Sequence, residues 1–328
     1  MIDSKPSECR GFLDHDLVVD VEDNIYVVVG NRHPPGLITA YVKYAPTSNP
    51  TLWRGRFTYY ERVLREYDVS ELVKVMCRFG IQVYDPTLNV LVPAVPESAV
   101  RKWLKPELKM EELRRRASDA VELTAVEVSE LMSASGVNPR NVGVTGSVLA
   151  GIHGRHSDVD LVIYGCRDVL EFVEAPHPYL SRMPANWIEG KIMNNSRTLG
   201  LSPNIYRRII PHYKFLSYKG VPVTFTFVSR DRIRYGELVL KPVKPTDAVI
   251  EVEGGDCRAL FYPSHVLATG RVEGVKVKGL ISYEAEYGYV LYRGGRLRVS
   301  GMLEMSMPEE EFYLLVGGRE HRGYVVPA

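Results

Sequence analysis

The stretch whose reading decides the fold is GVTGSVLAGIHGRHSDVDLVIYG, residues Gly143–Gly165. Its second half, SDVDLVIYG, has the β-branched, apolar character of a strand. Side chains two apart on a strand share a face, so Asp158 and Asp160 project together while Val159, Leu161 and Ile163 face a core. Two carboxylates this close repel one another unless a cation bridges them. Mg²⁺, or Mn²⁺ in its place, suits such a pair, because it takes oxygen ligands and is commonly held by one or two carboxylates together with substrate phosphates. Eleven residues before Asp158, Gly146-Ser147 opens a short helix. A glycine lets backbone approach a ligand closely, and the N–H groups of a helix start attract an anion. The loop between the two features carries His153, Arg155, His156 and Ser157, placed to meet a polyphosphate.

Working outward, the residues before this stretch fall into two kinds. DLVVDVE, NIYVVVG and LITAYVKYA read as strands separated by turn signals, and VSELVKVMCRF has helical spacing with Leu72, Val75, Met76 and Phe79 on one face. KPELKMEELRRRASDAVELTAVEVSELMSASG reads as one helix, with Leu113, Ala117, Ala120, Leu123 and Val128 as its apolar stripe and the arginines 114–116 on a solvated face beside Glu111, Glu112 and Asp119. After Gly165 come the helix RDVLEFVEA, a basic segment to Tyr218 and the strand VPVTFTFVS. KPVKPTD from Lys241 reads as a linker. Beyond it lie closely spaced strands, with YRGGR as a hairpin turn. The expected organisation is an α+β accessory domain over 1–105, an α/β core over 106–240 and an all-β domain over 241–328, a small barrel or sandwich, OB-like in its spacing.

With 41 basic and 40 acidic residues the net charge is +1, so no global field draws the chain to nucleic acid or membrane and any basic site is a local patch. No apolar run reaches the roughly 18 residues of a membrane span, and the first residues lack the apolar region of a signal peptide, so a cytoplasmic location is expected. Cys9, Cys77, Cys166 and Cys257 are widely spaced with no C-x-x-C pair, which reads as buried free thiols. Gln82 is the only glutamine and Arg outnumbers Lys, a bias that fits a thermophile. P-loop, G-x-G-x-x-G and G-x-S-x-G patterns do not occur, which disfavours a Walker ATPase, a Rossmann dehydrogenase and an α/β-hydrolase.

The order apolar-x-Gly-Ser, short helix, then Asp-apolar-Asp on a strand resembles the DNA polymerase beta-like nucleotidyltransferase superfamily. The matching residues are VTGS and SDVDLVIYG. With NRHPPG and the strand-rich C-terminus, the chain resembles more narrowly a group of predicted archaeal nucleotidyltransferases. The resemblance implies a polymerase beta-like core, a metal on Asp158 and Asp160, an NTP whose phosphates lie on Gly146 and Ser147, and attack of an acceptor hydroxyl on the α-phosphorus. It also implies a third carboxylate on a later strand. There, VPVTFTFVS places Thr224 and Thr226. Asp231 just past the strand, Glu237, or Glu189 in NWIEGK are the substitutes, with Asp231 taken as the third catalytic group.

Between Arg197 and Lys219, Arg207, Arg208 and Lys214 interleave with Tyr206, Tyr213 and Tyr218, a composition suited to phosphates and base stacking, with Lys214 as the nucleotide contact. EYGYVLYRGGRLRVS offers a second basic, aromatic face. Extra domains around a small core point to a large acceptor, hence RNA, tRNA among the candidates. A protein or small-molecule acceptor, or a nucleotide or RNA sensor without transfer, are the alternatives. Arg32 and His33 in NRHPPG read first as parts of a proline-locked turn.

Overall fold

The computed structural model describes residues 10–64, 75–76, 78–79, 81–87, 90–231, 234–272, 274–318 and 321–328. Its strands lie in three sheets that follow one another along the chain. The first comprises β1 (Leu17–Asp20), β2 (Ile25–Val28), β3 (Leu37–Thr47), β4 (Trp53–Arg54), β5 (Tyr59–Arg62), β6 (Ile81–Asp85), β7 (Val90–Pro96) and β8 (Val100–Leu104). The long β3 pairs with β7 at its start, β2 along its middle and β5 at its end. β1 and β2 are buried at every position, because this sheet is covered on both faces. One face gathers Val18, Tyr26, Val28, Ile38, Ala40 and Val42 around Met76. Val75 and Phe79 pack there too, as their helical spacing suggests, whereas Leu72 lies outside the described residues. The other face, with Leu17, Ile25, Val27 and Tyr44, closes over Leu149 and Ile152, and so over the segment 143–165.

The expected long helix is two, α1 (Pro106–Arg116) and α2 (Ala120–Ser133). Asp119 caps α2 by accepting from the N–H groups of Val121 and Glu122, and Glu122 reaches back to the N–H and hydroxyl of Ser118. This reciprocal cap stops α1 and restarts the helix with a different face inward. The buried residues are therefore Met110 and Leu113, then Val121, Ala125, Val128 and Met132, while Leu123 is exposed.

Next come β9 (Val142–Val144), α3 (Gly146–Ala150), β10 (Val159–Tyr164), α4 (Cys166–Glu174), β11 (Ser181–Arg182), α5 (Ala185–Leu199), α6 (Pro203–Ile209), β12 (Leu216–Tyr218) and β13 (Val221–Val228). The sheet order is β11-β12-β13-β10-β9. Only β10 and β13 run parallel; the other pairs are antiparallel.

The third sheet holds β14 (Val239–Val252), β15 (Ser264–Val272), β16 (Val275–Ser282), β17 (Gly295–Met307), β18 (Phe312–Val316) and β19 (Tyr324–Pro327), with α7 (Gly288–Arg293) between β16 and β17. β14 pairs with both β15 and β17, so β14-β15-β16-β18-β17 closes into a five-stranded barrel. The expected linker KPVKPTD lies inside β14, whose register shifts between Pro242 and Lys244, a bulge that accommodates the prolines in a strand. YRGGR is not a hairpin: it ends α7, and Tyr287 and Tyr292 are buried.

These findings overturn the expected fold class. Among the described residues strand makes up 39% and helix 28%, in three sheets with a closed barrel, and an α/β nucleotidyltransferase core is not evident. The single crossover from β10 to β13 produces, locally, the helix-between-strands pattern of an α/β protein. Periodicity reports which face of a strand is buried but not which strand it pairs with.

One apolar core runs without a break from α1 and the middle sheet into the barrel, from Met110 through Ile163 and Tyr206 to Val299 and Val325. Two further ties cross the sheets. Arg10 donates two hydrogen bonds to Asp16 and two to Glu107 at 2.6–2.9 Å, while Trp103 donates to Asp16 and Tyr164 to Glu107. Cys166 at the start of α4 is disulfide-bonded to Cys257 beside the barrel, with Cα atoms 5.5 Å apart. This corrects the expectation of free thiols at those positions; a partner 91 residues away leaves no spacing signature. Closing a loop of that length contributes about 4.6 kcal/mol by restricting the unfolded chain. Reduction, or Cys166→Ser, is therefore expected to lower unfolding stability by about that amount in a urea titration read with and without reductant. An unchanged midpoint would show that the bridge adds no constraint to the unfolded chain.

Candidate functional site

β10 sets the two aspartates. Val159, Leu161 and Ile163 turn into the main core, as the alternation implies. On the opposite face Val162 and Tyr164 are sealed by Leu13 and Val228, which leaves only the mouth of the strand, Asp158 and Asp160, reaching solvent. Although Asp158 reaches solvent, the protein around the mouth strips away part of its hydration and lifts its carboxyl above the ordinary range, and the charge of Asp160 lifts it further, against the opposing pull of Lys43 and Arg62.

α3 lies against the same mouth. Thr145 donates its N–H to the Asp160 carbonyl and its hydroxyl to the carbonyl of His15. Gly146 follows with φ +65°, and a Cβ there would stand 2.2 Å from Asp160 Oδ2. Only glycine can both take that conformation and leave room for the carboxylate. Ser147 is buried beside it. Gly143 is needed for a different reason: a Cβ would meet Pro106 at 2.7 Å, where α1 crosses β9.

The parallel register puts Thr224 directly opposite Asp160 and Thr226 opposite Val162. Thr224 Oγ1 donates to Asp160 Oδ1 at 2.5 Å, so the neighbouring strand offers a hydroxyl where a third carboxylate was sought. Asp231 does not supply it. It lies three residues past the far end of β13, which itself carries the chain about 13 Å beyond Thr224 at ~3.3 Å per residue, and it lines a separate cavity beside Asn31 and Ser229. Glu237 is further along still and accepts from the N–H of Arg234, and Glu189 is ion-paired with Arg207 at 2.5 Å on the surface.

The other expected contacts divide similarly. Arg155 and His156 are exposed in the loop before Asp158 and hydrogen-bonded to each other at 2.9 Å. Ser157 Oγ accepts from the N–H of Gly154, closing that loop's turn. His153 points away to Asp119 at the start of α2. Lys214 is ion-paired with Glu286 next to the barrel, and Tyr206 and Tyr213 are buried. That basic, aromatic segment is mostly a packing element. The fold thus brings together Gly146, Ser147, Asp158, Asp160 and Thr224, and leaves out Asp231 and Lys214.

Sequence reading missed the contribution of the first sheet. The register of β3 shifts between Val42 and Tyr44, which makes Lys43 the extra residue of a bulge. Residues 38, 40 and 42 face one core and Tyr44 the other. Lys43 keeps the side that alternation gives it, and the bulge brings Tyr44 to that same side, toward the face that covers α3 and the aspartates. Arg62 joins it from the end of β5, where it pairs with Tyr44 across the strands. Burial disfavours a charged His15, but its 2.8 Å contact with Asp14 outweighs that, and with Asp160 nearby the imidazole is held above its ordinary range. A lysine in an apolar strand was visible in LITAYVKYA, but its partner more than a hundred residues away was not.

Among the described residues no group of three or more His, Cys, Asp or Glu side chains gathers as a metal cage. No helix among them is long and apolar enough to cross a membrane. No family model, curated protein or solved structure matches the chain.

Two predictions follow from this geometry. Gly146→Ala is expected to push Asp160 out of place and cost about 1–3 kcal/mol in unfolding experiments. The raised carboxyl of Asp158 destabilises the fold when charged. Without divalent cations its contribution is therefore most favourable below the ordinary carboxylate value and declines as pH rises through the raised value. Asp158→Asn should remove that decline between mildly acidic and neutral pH, and a stability profile identical to wild type would contradict the assignment.

Proposed function

We propose that the protein is a divalent-cation-dependent nucleotidyltransferase that moves a nucleoside monophosphate from an NTP to a hydroxyl acceptor, RNA foremost. The reading rests on one observation, the paired carboxylates at the open mouth of β10 with a glycine required beside them. The donor set fits a hard cation: two carboxylates from one strand and a neighbouring hydroxyl, with room for substrate oxygens and water to complete the shell. Asp158 and Asp160 would hold Mg²⁺ or Mn²⁺, which supplies charge neutralisation to the triphosphate and to the phosphorus under attack.

The chain's own residues do the rest. Lys43 and Arg62 meet the negative charge of the phosphates. Thr224 fixes the rotamer of Asp160. The Gly146-Ser147 backbone lets a phosphate approach without a Cβ in the way. As the bond from the acceptor oxygen to the α-phosphorus forms, the bond to pyrophosphate breaks and the hydroxyl proton leaves to water.

An RNA acceptor is favoured by the rim of the mouth. Arg54, Arg56 and Phe57 are exposed, with Arg56 over the Phe57 ring at 5.0 Å. This loop touches the one before Asp158, through the N–H of Arg54 on the Ile152 carbonyl. Cations beside an exposed ring suit a single-stranded polynucleotide. A second reading, nucleotide binding without transfer, is favoured by Thr224 standing where a third carboxylate was expected.

The test is incubation with Mg²⁺ or Mn²⁺, each labelled NTP and total RNA. Label is expected in RNA, and Asp160→Asn is expected to lower the transfer rate by about 10²-fold or more. Cation-dependent NTP binding without transfer would establish the second reading, and absence of cation-dependent NTP binding would rule out both.

A further inference from the structure

A second cavity, of about 350 Å³, lies where the first sheet, the end of β13 and the barrel meet, away from the aspartates. Its walls are mainly apolar, among them Leu91 from β7 and Tyr262, Ile281, Tyr283, Met302 and Leu315 from the barrel side. That volume and lining are those of a small-molecule site.

One charge in it stands out. Arg32 of NRHPPG lines the cavity and is half-buried, and among the described residues it forms no ion pair and no hydrogen bond. The other charged groups there are differently placed. Arg258 is held by Asp256. Asp85 accepts from the N–H and hydroxyl of Thr87 and from Tyr235. Asp231 is exposed at the edge. Glu304, buried, also lines the cavity, and its charge and that of Arg32 act on the Tyr283 hydroxyl in opposite senses. The negative end of a ligand is thus directed to the Arg32 side. A half-buried guanidinium with no counter-ion among the described residues is costly to keep, and an incoming anion offsets that cost.

The loop that carries Arg32 is fixed in advance. Gly30 donates its N–H to Asp14 at 2.8 Å, and Asn31 Nδ2 donates to the Ser229 carbonyl at 2.7 Å. His33, the neighbour in the same motif, is occupied structurally: it accepts from the N–H of Thr39 through Nδ1 and meets the Phe12 carbonyl through Nε2. Burial keeps its pKa below the ordinary histidine value.

We propose that this cavity is a binding site for a small organic anion, an apolar and preferably aromatic body carrying one acidic group, with Arg32 as the anion anchor. The site is separate from the aspartate mouth and does not depend on the nucleotidyl-transfer reading.

Two fluorescent probes of the same shape test it: anilinonaphthalenesulfonate, which is anionic, and phenylnaphthylamine, which is neutral. The folded protein is expected to bind the sulfonate saturably, and saturating magnesium and ATP are expected to leave it bound. Arg32→Gln should raise the Kd for the sulfonate about tenfold or more, the size expected for losing a charge-assisted hydrogen bond, and leave the neutral probe unchanged. Leu91→Trp, which fills the wall instead of removing charge, should weaken both probes. Unchanged sulfonate affinity in a folded Arg32→Gln protein, loss of both probes to the same extent in that variant, or displacement by magnesium and ATP would each overturn the proposal.

Discussion

Asp158 and Asp160 repel each other, and much of the molecule is arranged around that repulsion. Two carboxylates on one face of a strand are tolerated only at an open end, with cations or hydrogen-bond donors nearby. Tyr164 and Val162 fill the rest of the face, so the acids stand at the mouth. Thr224 donates to one of them, and the charges of Lys43 and Arg62 act on the other. The same constraint accounts for Gly146, whose missing Cβ leaves the space occupied by the Asp160 carboxylate.

Holding that arrangement requires three sheets to act as one body. The first sheet contributes Lys43 and Arg62 only because its second face packs on Leu149 and Ile152. The Arg10 clamp, with both carboxylate partners engaged in pairs of hydrogen bonds, fixes the chain before β1 to α1 and, through Tyr164, to the strand of the aspartates. Such paired, charge-assisted bonds are directional and so define position as well as adding attraction. On the other side the disulfide and the shared core join α4 to the barrel. The loop 30–32 is bonded both to Asp14, next to His15, and to the end of β13, so the second cavity and the aspartate mouth share structural supports.

What could be read from the sequence was local. Alternation in SDVDLVIYG identified which side chains enter the core, and the glycine before Ser147 marked a close approach. The parallel neighbour VPVTFTFVS was also found, because its apolar alternation is as clear as that of β10. Pairing was not legible: nothing in KPVKPTD distinguishes a linker from a strand with a bulge at its prolines, and a helix-strand order does not reveal that most of the middle sheet is antiparallel. Long-range partners were equally hidden. Lys214 looked free until Glu286 met it, Tyr206 looked like a stacking surface although it is buried, and Cys166 and Cys257 carried no mark of their bond.

The central claim is that the mouth of β10 is a cation and triphosphate site. Its most direct test is anomalous diffraction from crystals soaked with Mn²⁺ and a non-hydrolysable NTP analogue. A manganese peak bridging Asp158 and Asp160, with triphosphate density beside Gly146 and Lys43, is the predicted result. Manganese bound elsewhere, or a triphosphate whose phosphates avoid these residues, would contradict it.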